Sequence, residues 1–256
     1  MTSTMRLAMV PLKVSQLPAA QALCDAYARE WPASGQLKPG EAAPDGSAVT
    51  LEGTQFAALI SLTDAPIPAS DLEPAYRAAL HWPEAKQSIE GHVAHLVVTV
   101  ISDELDAIDV MLELTRIVGA CLLTSEAAGV YWGGGSLVNG VEAFLDDARE
   151  MSREYLPLYL WVRFGLMRDK HNTATLYTLG MDQFDLMEVE FVRSKLDLET
   201  LTDRAFNVAH HLLDNGPILG DRDTIGLTPT ERFLVRHVTS VVDPERTVYS
   251  LSPARR

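Results

Sequence analysis

His210, Asp221, Asp223 and His237 are the residue types that general acid–base chemistry needs: histidines that titrate near neutrality, with carboxylates able to orient them or share a proton. Asp203, Asn207, His210 and Asp214 are spaced four, three and four, which places a histidine between two carboxylates on one polar stripe of a helix. A solvated face with local ion pairs has the same spacing and is the preferred reading. His211 falls on a neighbouring line, near Arg204 and Asn207, and adds no triad. In NGPILGDRDTIG, Asn215 to Gly226, Asp221 and Asp223 could meet a divalent cation. That loop lacks the pattern of a calcium-binding loop, and Gly216-Pro217 is a natural helix stop. Arg236, His237 and Ser240 in VRHVTS complete the set, and Ser240 has no GxSxG setting that would make it a nucleophile.

Trp132-Gly133-Gly134-Gly135-Ser136 lies between a strand and a helix and could turn backbone N–H groups toward an anion. Neither GK[ST] nor GxGxxG accompanies it, so a structural turn is preferred. His92 and His95 in GHVAHL are expected on opposite faces of a strand, unable to share an ion. Cys24 and Cys121 sit among Ala and Leu in helical patterns, without CxxC or Cys/His spacing, and read as reduced, buried thiols. The expectation is therefore no metal and no cofactor.

These residues need elements to hold them. Met5–Val10 reads as a strand and Leu17–Trp31 as a helix stopped by Pro32, followed by a flexible surface loop, ASGQLKPGEAAPDGS. Ala48–Glu52 and Gln55–Leu62 read as a hairpin around Gly53-Thr54. Ser70-Asp71 then caps a helix that carries Leu72, Ala75, Ala79 and Trp82 inward and ends at Pro83, and His92–Ile101 is a fourth strand. Asp103–Glu126 is a long helix whose wide apolar stripe implies burial on two sides.

Beyond it, a strand at Val130–Trp132 and a helix at Val141–Ser152 precede Leu158–Met167, which pairs with Ala174–Leu179 across the turn Asp169-Lys170-His171-Asn172. Met187–Val192 is another strand. Leu198, Leu201, Ala205, Val208 and Leu212 mark an amphipathic helix, and strands at Phe233–Val238 and Thr247–Leu251 close the chain. The fold class expected is α+β: two ferredoxin-like βαββαβ halves, residues 1–102 and a degenerate 127–256, joined by a long buried helix at 103–126 in one compact unit. The alternative is one continuous mixed sheet with helices on its faces.

Composition narrows the partners. The 256 residues are 47% hydrophobic and 22% charged, and apolar runs such as Val97–Ile101 are too short to cross a bilayer. Pro11 and Lys13 break the N-terminal apolar run before it could serve as a signal segment, so a cytoplasmic location is expected. A net charge of −14 repels phosphates and anionic membranes, and only the tail Arg255-Arg256 is locally basic. No nucleic acid and no membrane is therefore expected, while a protein partner is.

PIPASDLEPAYRAALHWPEA followed by GHVAHLVVTV, then GVYWGGGSLV, LPLYLWVRFGLMRD, TLYTLGMDQFDLMEVE, NVAHHLLDNGPILGDRDTIG and RHVTSVVDPERTVYSL, resemble in this order the bacterial domain of unknown function 4261 family, from about Leu7 to Leu251. The resemblance implies a bacterial, cytoplasmic protein and brings no activity to carry over. It draws attention to Trp82, His92, His95, Trp132, His210, Asp221, Asp223 and His237, as a shared pocket or as the packing signature of the fold. The function expected is a non-catalytic, protein-binding protein of immunity or accessory type with an acidic surface. The alternative is an enzyme or small-ligand sensor whose polar cleft, in the C-terminal half, brings together His210, Asp221, Asp223 and His237.

Overall fold

The computed structural model describes residues 4–168, 173–226 and 231–254; the expected turn at Asp169–Asn172 and the tail Arg255-Arg256 lie outside them. The chain is α+β and forms two compact units, Met1–Leu160 and Trp161–Arg256. No helix among the described residues is long and apolar enough to cross a membrane.

The first unit runs β1 (Thr4–Leu12), α1 (Ala20–Glu30), β2 (Lys38–Ala42), β3 (Ala48–Glu52), β4 (Ala57–Thr63), α2 (Ala69–Ala78), α3 (Ala85–Ile89), β5 (Ala94–Ser102), α4 (Ala107–Thr124), β6 (Val130–Trp132), β7 (Leu137–Asn139) and α5 (Val141–Glu150). Its strands form one antiparallel sheet in the order β2-β3-β4-β5-β1-β6-β7. Opposed residues on neighbouring strands share a face, so the register sorts the side chains into two layers. Val49, Ile60, Val98 and Ala8 lie in one row, and Leu51, Ala58 and Val100 in the next; all are buried. This layer lies under α1 and α4, which pack on β1, β3 and β5 and on each other, while α5 packs on α4. Full burial of each Val, Ile or Leu here contributes roughly 1.5–3 kcal/mol.

The opposite face is covered over only part of its width. Leu72 and Ala75 of α2, with Ala79, Ala85 and Ile89, form a cluster with Tyr131 of β6, Val138 of β7, Met9 and Trp82. Beyond that cluster, the rows Glu52–Ala57–Ile101–Met5 and Thr50–Leu59–Thr99–Leu7 cross β3, β4, β5 and β1 on the same side. Met5 is 54% exposed, and Leu7, Leu59 and Ile101 are 41–42% exposed.

Several expectations change here. A ferredoxin-like half sets its first strand between the third and fourth, whereas β4 and β5 pair directly over seven residues and β1 lies outside β5. The long helix does not link two halves. It packs on β1, β5, α1 and α5, and β6 and β7 extend the same sheet past β1, so residues 127–160 belong to the first unit. The loop ASGQLKPGEAAPDGS contains β2, an edge strand whose Pro39 and register shift suit a sheet border. Ser70 and Asp71 lie inside the first turn of α2, whose N-cap is Pro68.

The second unit contains, after α6 (Leu158–Trp161), β8 (Arg163–Arg168), β9 (Ala174–Leu179), a short 3-10 helix (Met181–Phe184), β10 (Val189–Ser194), α7 (Leu198–Asn215), β11 (Thr224–Ile225), β12 (Phe233–Thr239) and β13 (Thr247–Pro253). Its sheet order is β11-β12-β13-β10-β9-β8, with β10 and β13 parallel and the other pairs antiparallel. Asp197 caps α7 by accepting from Thr200 N, and Leu201, Ala205, Val208 and Leu212 bury one stripe against β8, β9 and β10. One long helix on a six-stranded sheet is no ferredoxin-like repeat. Two separate sheets also replace the single continuous one.

Candidate functional site

Glu188 and Glu190 lie two residues apart at the start of β10, and both are buried, at 5% and 1% exposure. A buried carboxylate is costly unless its oxygens accept hydrogen bonds, and each of these holds a different loop. Thr178 Oγ1 donates to Glu188 Oε2 at 2.7 Å, while Gly180 N and Met181 N donate to Oε1 at 2.7 and 3.0 Å. Ser240 Oγ donates to Glu190 Oε1, and Val241 N donates to Oε2 at 3.2 Å. Glu188 thus fixes the entry to the 3-10 helix, and Glu190 fixes the turn after β12.

Arg246 bridges those two loops. Its guanidinium lies 2.9 Å from Asp182, 3.1 Å from Asp243 and 3.8 Å from Glu188. Between the loops is a cleft of about 440 Å³ whose polar lining includes Asp182, Asp185, Glu188 and Arg246. Burial raises the Glu188 pKa above the usual carboxylate range, against the pull of the three donors it accepts from. Ser240 Oγ donates to Glu190, and its oxygen accepts from Val242 N and Asp243 N at 3.0 and 2.9 Å, so the hydroxyl ties the turn after β12 to the buried carboxylate. The arrangement holds two loops at fixed positions and leaves a polar cleft between them.

The residues singled out by type and spacing fall into separate groupings. His210 Nδ1 lies 2.9 Å from Asp214 Oδ2, one turn along α7, with the Phe206 ring alongside it. His237 N donates to Asp221 Oδ1 at 3.0 Å, and His237 Nε2 lies 2.8 Å from the Leu219 carbonyl, its ring edge-on to Tyr249. The His237 N–H, ahead of Arg236 and Arg222, holds the Asp221 carboxyl below the usual range. Asp223 Oδ2 accepts from Gly220 N at 2.7 Å and closes a turn. Asp221 and His237 therefore come together through the backbone. Among the described residues no hydrogen bond or ring contact joins His210 to them.

Trp132-Gly133-Gly134-Gly135-Ser136 proves to be the loop of the β6–β7 hairpin, closed by Ser136 N donating to Gly133 O at 3.0 Å. Strand β7 separates it from the next helix, so the strand-to-helix anion geometry is not present, and Trp132 is core packed on Phe144. His92 and His95 do not diverge. His92 lies in the turn before β5, where Gly91 takes φ 91°, and its Nε2 accepts from Ile67 N at 2.8 Å while Nδ1 meets Ile89 O. His95 Nδ1 reaches Ala65 O at 2.8 Å, so both rings clasp the loop before α2. Cys24 and Cys121 are free and buried, and burial pushes both thiols up, Cys121 to about 12. Among the described residues no three His, Cys, Asp or Glu side chains are grouped to hold a metal ion.

Glu188, Glu190 and Arg246 escaped the sequence reading. The i, i+2 glutamates in MEVEFV look like the solvent side of an alternating strand, and what encloses them is the non-local approach of the segments at 178–181 and 240–241, which donate to their carboxylates. Residues 177–252 match the family model described as Domain of unknown function (DUF4261). The match contains both glutamates, Arg246, α7 and the Asp221–His237 turn, while the N-terminal motifs fall outside it. No curated protein and no solved structure matches the chain.

Proposed function

We propose that this chain, with its DUF4261 region, is a non-catalytic protein-binding protein of immunity or accessory type, and that its partner docks on the open part of the first unit's sheet. The observation that carries this reading is the group of apolar side chains in those two rows, with Met5, Leu7, Leu59 and Ile101 each more than two-fifths exposed on one sheet face. Charge selects the partner. Glu52 stands in the first row, Asp103 and Glu104 follow the end of β5, and the chain carries −14 overall. A second copy would set like charges against each other, whereas a basic protein with an apolar strip complements both features.

Leu7→Glu with Leu59→Glu tests it, since both side chains are already part-exposed and the fold should tolerate the change. Cross-linked capture from the cells of origin should yield one stoichiometric basic partner with the wild type and lose it with the double variant. The purified pair should then weaken as salt rises. Equal capture by both proteins, or capture of nothing, would overturn the reading. Small-ligand sensing in the second unit is the runner-up, supported by the cleft at Glu188 and Arg246.

A further inference from the structure

The first unit also contains a cleft of about 530 Å³, bounded by the C-terminal end of α1, the first turns of α4 and the end of α5. This volume suits a small molecule. Glu30, Asp109, Glu113, Arg116, Arg149 and Arg153 line it, three carboxylates against three guanidiniums, and Trp31, Leu105, Leu112 and Met151 supply an apolar wall.

Glu113 and Arg116 form an ion pair at 2.6 Å in which each side chain is only 13% exposed, and Tyr27 Oη donates to the other Glu113 oxygen at 2.7 Å. An ion pair withdrawn this far from water gains little over well-packed apolar side chains. Arg116 is also incompletely used: Nη1 goes to Glu113, and Nε is buried without a hydrogen-bond partner. Arg149 commits Nε to Glu30 and Nη1 to Asp146, and Arg153 commits its amino groups to Asp106 and Asp109. Among the described residues, Nη2 of Arg116 and Nη2 of Arg149 donate to no other group. Burial holds the Glu113 carboxyl above its usual range, as is common where charged groups converge in a cleft.

We propose that this cleft binds a neutral amino acid with an apolar side chain, its carboxylate on Arg116 and Arg149 and its ammonium toward Glu30 and Asp109. The balanced lining sets the ligand's charge: a phosphate dianion would meet three carboxylates and a polyamine three guanidiniums, while a zwitterion satisfies both sets. Trp31, Leu112 and Met151 take the side chain. This site is independent of the docking face, and either can fail without the other.

The test uses the full chain, with calorimetric titration and thermal shift. L-Leucine, L-methionine, L-valine and L-phenylalanine are compared with 3-methylbutylamine, 4-methylpentanoate and inorganic phosphate. At least one amino acid should bind saturably, with the two singly charged leucine analogues at least about tenfold weaker and phosphate silent. Arg149→Ala and, separately, Glu30→Gln should each weaken binding by about tenfold or more while the unliganded melting curve stays cooperative. The inference is overturned if none of the four amino acids binds at millimolar concentration. It is overturned equally if an analogue or phosphate binds as well as they do, or if both variants bind like the wild type.

Discussion

His92 engages two backbone groups with one ring, accepting from Ile67 N and meeting the Ile89 carbonyl, so the folded protein needs its neutral form. Burial, opposed by the Ile89 bond, holds its pKa below the ordinary histidine value. The unfolded chain takes up its proton at about pH 6.5, before the folded one does. Stability from this residue is therefore full above about pH 6.5 and falls as the pH drops toward the lower native value. His92→Gln should cost about 1–3 kcal/mol at neutral pH and remove part of the acid-side loss, read from urea midpoints on either side of that pH. Identical acid-side losses in both proteins would rule the clasp out as a titrating element. At Glu188, exchange for Gln keeps the shape but turns an amide toward N–H and O–H donors, for an expected loss of about 1–3 kcal/mol in the same assay. An unchanged midpoint would mean that Thr178, Gly180 and Met181 do not depend on that carboxylate. Residue type alone could flag His92, since histidines invite inspection. It could not flag Glu188, because glutamate on alternate strand positions is the ordinary mark of a wet face.

Gly119 of α4 shows how an element-level contact can reverse a propensity argument. Alanine in place of a helical glycine normally stabilises by about 1 kcal/mol. Here a Cβ at 119 would lie 2.4 Å from the Trp31 ring, which is tethered by its indole N–H to the Ala148 carbonyl at 2.8 Å. Overpacking costs typically about 1–3 kcal/mol, so Gly119→Ala should destabilise the protein and shift tryptophan emission; a higher melting temperature would show that Trp31 yields freely. The elements themselves were largely legible. Helical spacing marked α1, α4, α5 and α7, and β-branched or apolar runs bounded by turn residues marked β3, β4, β9 and β12, because such signals are written in neighbouring residues, whereas the partial alternation of Leu158–Met167 ran α6 and β8 together as one strand. Strand order was not, since a βαβ-like succession is compatible with β1 between its partners or outside them. What decides is how α1 and α4 pack on one face, a non-local matter. β2 was hidden because its KPGEA composition is that of a turn, and it is a strand only by pairing with β3.

On the scale of the whole chain, the division at residues 160 and 161 separates two sheets that each have their own core. In the second unit Trp161 packs on Phe184 at 5.7 Å, Phe191 meets Phe233 edge-on at 5.2 Å, and the buried stripe of α7 lies over β8–β10. That unit also carries two buried carboxylates, which only intact loops at 178–181 and 240–243 can satisfy. If the core is sufficient to hold those loops, residues 157–256, which keep α6 and the entire DUF4261 match, should fold alone. The expected outcome is a single cooperative urea transition with dispersed amide resonances. Because the denaturant slope scales with the surface exposed, the fragment's slope should be about two-fifths of that of a full chain unfolding in one step. A full chain whose own slope is no greater than the fragment's would instead unfold unit by unit. A fragment with helical circular dichroism but collapsed amide dispersion would show that the apolar contacts form without the glutamates finding their loops. In that case the cleft at Arg246 would depend on residues before 157, and the second unit could not be regarded as a self-sufficient binding module.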